Sequence, residues 1–274
     1  MHTTVEIEDF YPYSYQPCSR YGRGKLPHPL IDAILEKELP RYEALLTNFA
    51  TFTDEFLSIE RDNNAANPNS PYWINGFFPG LDAVVLYGMI ATYSPKRYYE
   101  IGSGNSTKFA ALARNKHSPE TEIICIDPAP RAEIKEIART VLFQPLQDCD
   151  LSIFDQLESG DILFFDGSHR VLQNSDVSVF FLDVLPYIKP GVLIQIHDVF
   201  WPSDYPDQWA ARMYSEQYLL GVLLLNSAET IQVVMPNAYV SSRPNLVALF
   251  QQIWDAPDLQ GIERHGGSFW FSKK

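Results

Sequence analysis

The stretch Tyr98-Tyr99-Glu100-Ile101-Gly102-Ser103-Gly104-Asn105-Ser106-Thr107 decides the fold of this chain. The apolar residues at its start, Tyr98, Tyr99 and Ile101, predict a buried strand. The two glycines predict a tight turn at which the backbone can approach a ligand closely. Ser106 or Thr107 is expected to cap a helix that continues through Phe109 and Leu112. A strand, a glycine turn and a helix in this order are typical of a site for a nucleotide-like ligand.

The acid inside this turn indicates which ligand is bound. A pyrophosphate would lie against the positive end of the helix, but the carboxylate of Glu100 and the absence of a third glycine at Thr107 suit it poorly. S-adenosylmethionine has an amino group, a sulfonium and no phosphate, so it suits an acidic turn better. The candidate cofactor-binding residues here are Glu100, Gly102, Ser103, Gly104 and Ser106. A purely structural glycine turn stays open as the alternative.

A second acid follows at the position that such a site requires. Residues 122–126 form a continuous apolar strand that ends at Asp127, 25 residues after Gly102, where nucleotide-binding sheets place an acid on the ribose diol. With these two motifs the chain resembles the class I S-adenosylmethionine-dependent methyltransferases from about Pro79 to the C-terminus. Within that superfamily it is similar to the branch of the macrocin and catechol O-methyltransferases.

Strand and helix patterns alternate after residue 79, which predicts an α/β fold with a doubly wound, mostly parallel sheet. The predicted strands after the second acid are 141–144, 161–165, 192–196, 230–235 and 268–271, and the predicted helices are 81–91, one to Lys116, one around Ile134 and one containing Phe180, Phe181 and Leu185. The resemblance implies a seven-stranded Rossmann-like methyltransferase sheet whose last strand is antiparallel. We expect a methyltransferase domain at 79–274.

The first 78 residues are expected to form a helical and aromatic extension that covers the sheet or acts as a lid. Two short amphipathic helices are predicted, and Pro40 separates them. The apolar residues of the first are Leu30, Ile31, Ile34 and Leu35, and those of the second are Tyr42, Leu45, Leu46, Phe49, Phe52 and Phe56. Tyr11, Tyr13 and Tyr15 lie in an extended segment, either a lid or an ordered tail. In the loop 63–79, Tyr72, Trp73, Phe77 and Phe78 are either core packing or a substrate wall.

Two polar motifs at strand ends are expected to carry the chemistry. Asp166 and His169 follow the fourth strand, and His197-Asp198 follows the fifth. Ligands of open α/β sheets bind beyond the carboxyl ends of the strands, so these side chains should converge with Gly102.

The resemblance to catechol O-methyltransferases gives these residues roles. It implies that Asp166, His197 and Asp198 are candidate ligands of a divalent metal and that His169 deprotonates the acceptor hydroxyl. An imidazole ligand at His197 would shift preference from magnesium toward manganese, iron, cobalt or zinc. Two alternatives stay open: His197 only hydrogen-bonds a strand end, or it serves as the base without a metal.

Two further features are less specific. Asp148 follows the third strand, where the resembled family commonly contacts the adenine amino group, but a turn or helix-capping role stays open. The aromatic and proline-rich stretch Trp201, Pro202, Tyr205 and Trp209 directly follows the His-Asp pair and either lines a substrate pocket or packs in the core.

Composition limits the partners. The net charge of -13 argues against nucleic acid and anionic membrane surfaces, so we expect a small-molecule substrate. Three cysteines without metal-ligand spacing indicate reduced thiols in a cytoplasm, and no segment reads as a signal peptide or a membrane span. Homo-oligomerisation stays open. An S-adenosylmethionine-dependent methyltransferase is the leading interpretation, against a nicotinamide-dependent oxidoreductase or a non-catalytic cofactor-binding or partner protein.

Overall fold

The computed structural model of the protein describes residues 17–227 and 229–274. The segment with Tyr11, Tyr13 and Tyr15 therefore lies outside the described residues. The strands are β1 Arg97–Ile101, β2 Glu122–Ile126, β3 Thr140–Leu142, β4 Ile162–Phe165, β5 Leu193–Ile196, β6 Ile231–Pro236 and β7 Phe269–Lys273. The helices are α1 Pro29–Glu36, α2 Leu39–Phe49, α3 Thr53–Leu57, α4 Gly80–Tyr93, α5 Asn105–His117, α6 Asp176–Val179, α7 Glu216–Asn226, α8 Asn237–Ser241, α9 Pro244–Val247 and α10 Gln251–Trp254.

The seven strands form one sheet in the order β3-β2-β1-β4-β5-β7-β6. The strands β1 to β5 run parallel to one another, and β7 pairs antiparallel with both β5 and β6. The predicted Rossmann-like methyltransferase fold, with its antiparallel last strand, is confirmed. The strand order reverses direction beside β1, so β1, β4 and β5 lie together and their carboxyl ends share one edge.

The predicted helix around Ile134 is wrong, because residues 127–139 between β2 and β3 contain no helix. The amides of Ile137 and Ala138 both donate to the Ile134 carbonyl, which makes a single turn. Pro128 and Pro130 precede this turn, and the buried Ile134 and Ile137 fasten it to the core. Because a proline disfavours the helical conformation of the residue before it, a helix cannot begin before Pro130. Ile134 and Ile137 are spaced as on one face of a helix, but the turn that contains them is too short to be a helix.

The first helices pack on the same hydrophobic core as the sheet. The predicted pair is confirmed as α1 and α2, and Ile31, Leu35 and Tyr42 have no exposed surface. Phe56 is also fully buried but belongs to α3, after a short 3₁₀ segment. The division of the chain near residue 79 stays a prediction.

In the described part of the chain, none of the helices combines the length and the apolar character that crossing a membrane requires.

Candidate active site

The glycine turn joins three strand ends. Gly102 has a φ of +78°, and its amide donates to the carbonyl of Ile126 at the end of β2. A Cβ at this position would lie 1.8 Å from the carbonyl oxygen of Asp166 at the end of β4. Only glycine therefore satisfies both the backbone conformation and the close approach.

Glu100 lies beneath this turn and faces away from solvent. Its carboxyl group has no exposed surface and accepts hydrogen bonds from the hydroxyls of Ser106 and Thr107. Burial raises the pKa of Glu100 to about 8, despite these two hydrogen bonds. The structure thus uses Glu100 to hold the start of α5. Ser106 and Thr107 were expected to cap α5; Gly104 is the residue before the helix, and the Thr107 hydroxyl accepts its amide at 3.0 Å.

Asp127 lies at the end of β2, directly beside the glycine turn. Its carboxylate accepts the amides of Ser103 and Ala129, each at 2.7 Å. This places the second predicted acid against the first motif, as the ribose assignment requires, and that assignment stays a prediction. Asp148 ends a 3₁₀ turn after β3 and is exposed. Its proposed contact with adenine also stays a prediction.

His169 lies between three carboxylates at the end of β4. Its Nδ1 is 2.5 Å from Oε1 of Glu216, the first residue of α7, and the Glu216 carboxylate is completely buried. Its Nε2 is 3.2 Å from Oδ1 of Asp166 and 3.6 Å from Oδ2 of Asp198. One face of the imidazole packs against the ring of Tyr214, with centroids 4.3 Å apart. A buried carboxylate thus holds one ring nitrogen while the other faces the strand ends.

His197 repeats this arrangement from the end of β5. Its Nε2 is 3.2 Å from Oδ2 of the fully buried Asp82 on α4, and its Nδ1 is 3.6 Å from both Asp166 and Asp198. Asp82 also accepts the amides of Gly267 and Ser268, at 2.8 and 2.9 Å. The predicted convergence of the four strand-end residues is present in the structure, and each histidine has a distal carboxylate that orients it.

The carboxylates raise the proton affinity of both imidazoles. Burial alone would lower the pKa of His169 and of His197, but the neighbouring carboxylates raise both pKa values well above the usual imidazole range. Conversely, burial would raise the pKa of Asp166, but the two imidazoles hold it far below its usual range. Burial raises the pKa of Asp198.

The arrangement does not form a metal centre as it stands. Among residues 17–227 and 229–274, no group of three or more His, Cys, Asp or Glu side chains is placed so that it could hold a metal ion. The ring nitrogens instead contact carboxylate oxygens directly at 3.2 to 3.6 Å, which is ion-pair geometry. The metal that the resemblance implied stays a prediction.

The backbone holds two of these residues in an uncommon conformation. His169 and Asp198 have φ values of +62° and +57°, a region that side-chain-bearing residues rarely adopt. Such conformations cost energy, are maintained by their surroundings and are frequent at functional sites.

An open groove of about 780 Å³ lies beside His169. Its walls include Ser168 and Arg170, which flank His169, and Tyr214, which contacts the imidazole ring. Of the predicted aromatic stretch, Tyr205 and Trp209 line the groove. Trp201 is buried and donates its indole N–H to the carbonyl of Gln217.

The sequence analysis missed Asp82 and Glu216. Each lies in the first turn of a helix, where an acid ordinarily reads as stabilisation of the helix dipole. One feature of the sequence could have revealed these two acids. Both lie in markedly apolar helices, GLDAVVLYGMIATY and EQYLLGVLLLN, which are expected to be buried, and a buried acid needs a partner.

Comparison with known proteins agrees with this geometry. Residues 99–199 match a family model described as a methyltransferase domain. The match covers 101 of the 274 residues, and the strand order of the sheet agrees with the Rossmann-like methyltransferase fold described above. The matched segment begins in β1 and ends just after Asp198, so it contains the glycine turn, Asp127 and the four strand-end residues.

One curated relative and several solved structures are similar to the chain. An uncharacterized protein of Archaeoglobus fulgidus is 38% identical over 100 residues, a match that spans 33% of this chain and 44% of that protein. The S-adenosylhomocysteine-bound methyltransferase PaMTH1 of Podospora anserina has 15% identity and a TM-score of 0.41, covering 84% of this chain and 88% of its own. The Bacillus cereus O-methyltransferase in complex with S-adenosylhomocysteine has 12% identity and a TM-score of 0.39, covering 84% and 91%.

Proposed function

We propose that the protein is an S-adenosylmethionine-dependent O-methyltransferase whose acceptor is a small hydroxylated molecule bound in the groove beside His169. The observation that carries this proposal is the orientation of His169. Its Nδ1 is held by the buried Glu216, its Nε2 lies 3.2 Å from Asp166 at the strand ends, and its chain neighbours Ser168 and Arg170 line the groove. Cytoplasmic location belongs to the same proposal.

The transfer needs positioning and one proton acceptor. The acceptor oxygen attacks the sulfonium methyl group in line, the carbon–sulfur bond breaks, and S-adenosylhomocysteine leaves as the product. In its neutral form His169 donates Nδ1–H to Glu216 and has an unprotonated Nε2, which takes the hydroxyl proton. The walls of the groove, among them Tyr205, Trp209 and Tyr214, supply a surface for an apolar or aromatic acceptor.

The first prediction tests cofactor binding through Asp127. Asp127→Ala is expected to weaken the binding of S-adenosylhomocysteine by about 1 to 3 kcal/mol, because the ribose hydroxyls lose their acceptor in a buried site. Isothermal titration calorimetry measures this change. The Ser103 and Ala129 amides donate to different oxygens of Asp127, and Asp127→Asn retains only one of these acceptors, so the thermal stability of both variants is measured beside the affinity to separate cofactor binding from the integrity of the turn. Asp155→Ala, at an exposed acid, serves as the control; unchanged affinity in Asp127→Ala would remove the ribose assignment.

The second prediction concerns a divalent metal, with Asp166, His197 and Asp198 as its proposed ligands. When bound, such a cation would make the acceptor hydroxyl more acidic. EDTA is expected to reduce turnover and Mn²⁺ to restore it, and Mn²⁺ binding followed by electron paramagnetic resonance should be lost in Asp166→Ala while S-adenosylhomocysteine still binds. Full activity after exhaustive chelation, with no Mn²⁺ bound by the wild type, would refute the metal.

Ligand binding distinguishes the proposed function from its two alternatives, a nicotinamide-dependent oxidoreductase and a non-catalytic cofactor-binding protein. An oxidoreductase should be stabilised against heat by NAD, and a non-catalytic binder should be stabilised by S-adenosylhomocysteine but transfer no methyl group. Stabilisation by S-adenosylhomocysteine together with transfer of labelled methyl groups to hydroxylated acceptors is the result expected here.

A further inference from the structure

Two exposed arginines lie next to each other in the wall of the groove beside His169. Arg170 and Arg212 both line this groove. The Nε–H of Arg170 donates to the main-chain carbonyl of Arg212 at 2.9 Å, and its Nη1 donates to the carbonyl of Ser168 at 3.3 Å. The guanidinium groups of Arg170 and Arg212 also lie 5.5 and 5.6 Å from the ring centre of Tyr214. Two positive charges therefore share one part of the groove.

The guanidinium of Arg212 is positioned by an aromatic ring and not by hydrogen bonds. Its central carbon lies 3.9 Å from the ring centre of Trp209. A guanidinium that lies over an aromatic ring uses its face, and its N–H donors point outward in the plane of the group. The Arg212 side chain makes no hydrogen bond to any residue that the structure describes. Its N–H donors are therefore open to a ligand in the groove.

No carboxylate neutralises this arginine pair. Among residues 17–227 and 229–274, neither arginine has an Asp or Glu oxygen within ion-pair distance, although the chain has a net charge of -13. The acids that line the groove, Asp204 and Asp207, instead accept the main-chain amides of Arg20 and Ser19, at 2.6 and 3.2 Å. Like charges that lie close together repel each other, and an anion bound beside both would offset this repulsion.

The arginine pair also lies close to the proposed base. The ring of Tyr214, which is next to both guanidinium groups, contacts the imidazole of His169 with centroids 4.3 Å apart. One aromatic side chain thus separates the cations from the proton acceptor. An aromatic molecule that is anchored at the arginines can pack on the rings of Tyr214 and Trp209 and place a hydroxyl near His169.

We infer that the methyl acceptor carries an anionic group, a carboxylate or a phosphate, which Arg170 and Arg212 bind while its hydroxyl faces His169. The inference rests on the proposed function and names the substrate class of the same groove. Guanidinium groups present parallel N–H donors that match the paired oxygens of a carboxylate or a phosphate.

Three naphthalene probes with the same ring and the same hydroxyl group test this inference. The anionic probes are 6-hydroxy-2-naphthoate and 6-hydroxy-2-naphthyl phosphate, and the neutral probe is 6-hydroxy-2-naphthamide. Calorimetry on the full chain, in the presence of S-adenosylhomocysteine, gives their affinities. At least one anionic probe is expected to bind about 10- to 100-fold more tightly than the amide, the value of a hydrogen bond to a charged group. Added salt should weaken the anionic probes and leave the amide unchanged.

Substitutions assign this preference to the arginine pair. Arg212→Gln removes a charge at an exposed side chain that makes no hydrogen bond to the described residues, so the fold should be retained. It should weaken the tighter anionic probe about 10-fold and leave the amide within about twofold. Arg212→Lys retains the charge and should recover part of the affinity. Arg139→Gln, at an exposed arginine that pairs with Glu122 outside the groove, should change none of the affinities.

The outcomes separate the inference from the proposed function. Equal affinities of the three probes for the wild type, or no binding of any of them, would overturn the inference. An equal loss of anionic and neutral probes in Arg212→Gln would do the same. If labelled methyl groups are transferred to neutral hydroxylated acceptors alone, the inference fails and the proposed function stands. If the anionic probes bind selectively but the chain transfers no methyl group from S-adenosylmethionine to any acceptor, the proposed function fails and the arginine pair remains an anion-binding site.

Discussion

His169→Ala is expected to lower kcat by about 10²- to 10⁴-fold, the usual contribution of a positioned general base. The affinity for S-adenosylhomocysteine should stay near that of the wild type, because His169 contacts Asp166, Asp198, Glu216 and Tyr214, none of which is a predicted cofactor-binding residue. Single-turnover formation of S-adenosylhomocysteine, with an acceptor found by screening, measures the effect.

The pH dependence of the same reaction gives a second measurement. His169 must be neutral to accept a proton, and the carboxylates of Glu216 and Asp166 raise its pKa well above the usual value. The wild-type rate should therefore rise with pH at values above the ordinary imidazole range, and His169→Ala should lose this rise. His265→Ala, at an exposed histidine, is the matched control. Near-normal kcat in His169→Ala would transfer the role of base to His197 or to no residue.

Gly102→Ala is expected to destabilise the fold by about 2 to 6 kcal/mol, a large part of the stability of an ordinary domain. A left-handed conformation costs an alanine about 1 to 3 kcal/mol. The added methyl group would also lie 1.8 Å from the carbonyl oxygen of Asp166, and such overpacking costs a further 1 to 3 kcal/mol or more. Urea denaturation followed by circular dichroism measures the change.

Gly160→Ala separates the cost of the left-handed backbone conformation from the cost of the steric clash. Gly160 also has a left-handed φ, +91°, but an added Cβ would meet no atom within 4 Å. It should therefore cost only the conformational part. Equal destabilisation by both substitutions would show that the approach of β1 to β4 is not what requires glycine at position 102.

The strands at the centre of the sheet could be predicted from the sequence because each is a local apolar run that ends in a characteristic residue. Asp127, Asp166 and Asp198 each follow such a run, and parallel strands bring their carboxyl ends to one edge. The order of the strands came from the resemblance, because pairing between distant strands leaves no local pattern. The helix around Ile134 failed since two buried residues three apart fit a single turn as well as a helix.

The sequence by itself determined the glycine turn and the strand-end acids and histidines, since each depends on residues that are neighbours in the chain. Only the tertiary structure decided how the histidines are oriented. Glu216 reaches His169 across 47 positions, and Asp82 reaches His197 across 115. It also shows that Glu100 is fully buried and accepts hydrogen bonds from the hydroxyls of Ser106 and Thr107, while its role at the cofactor stays a prediction. The physical reason is that burial and side-chain partnership depend on packing between distant segments, and the identity of an acid in the first turn of a helix does not reveal what it faces.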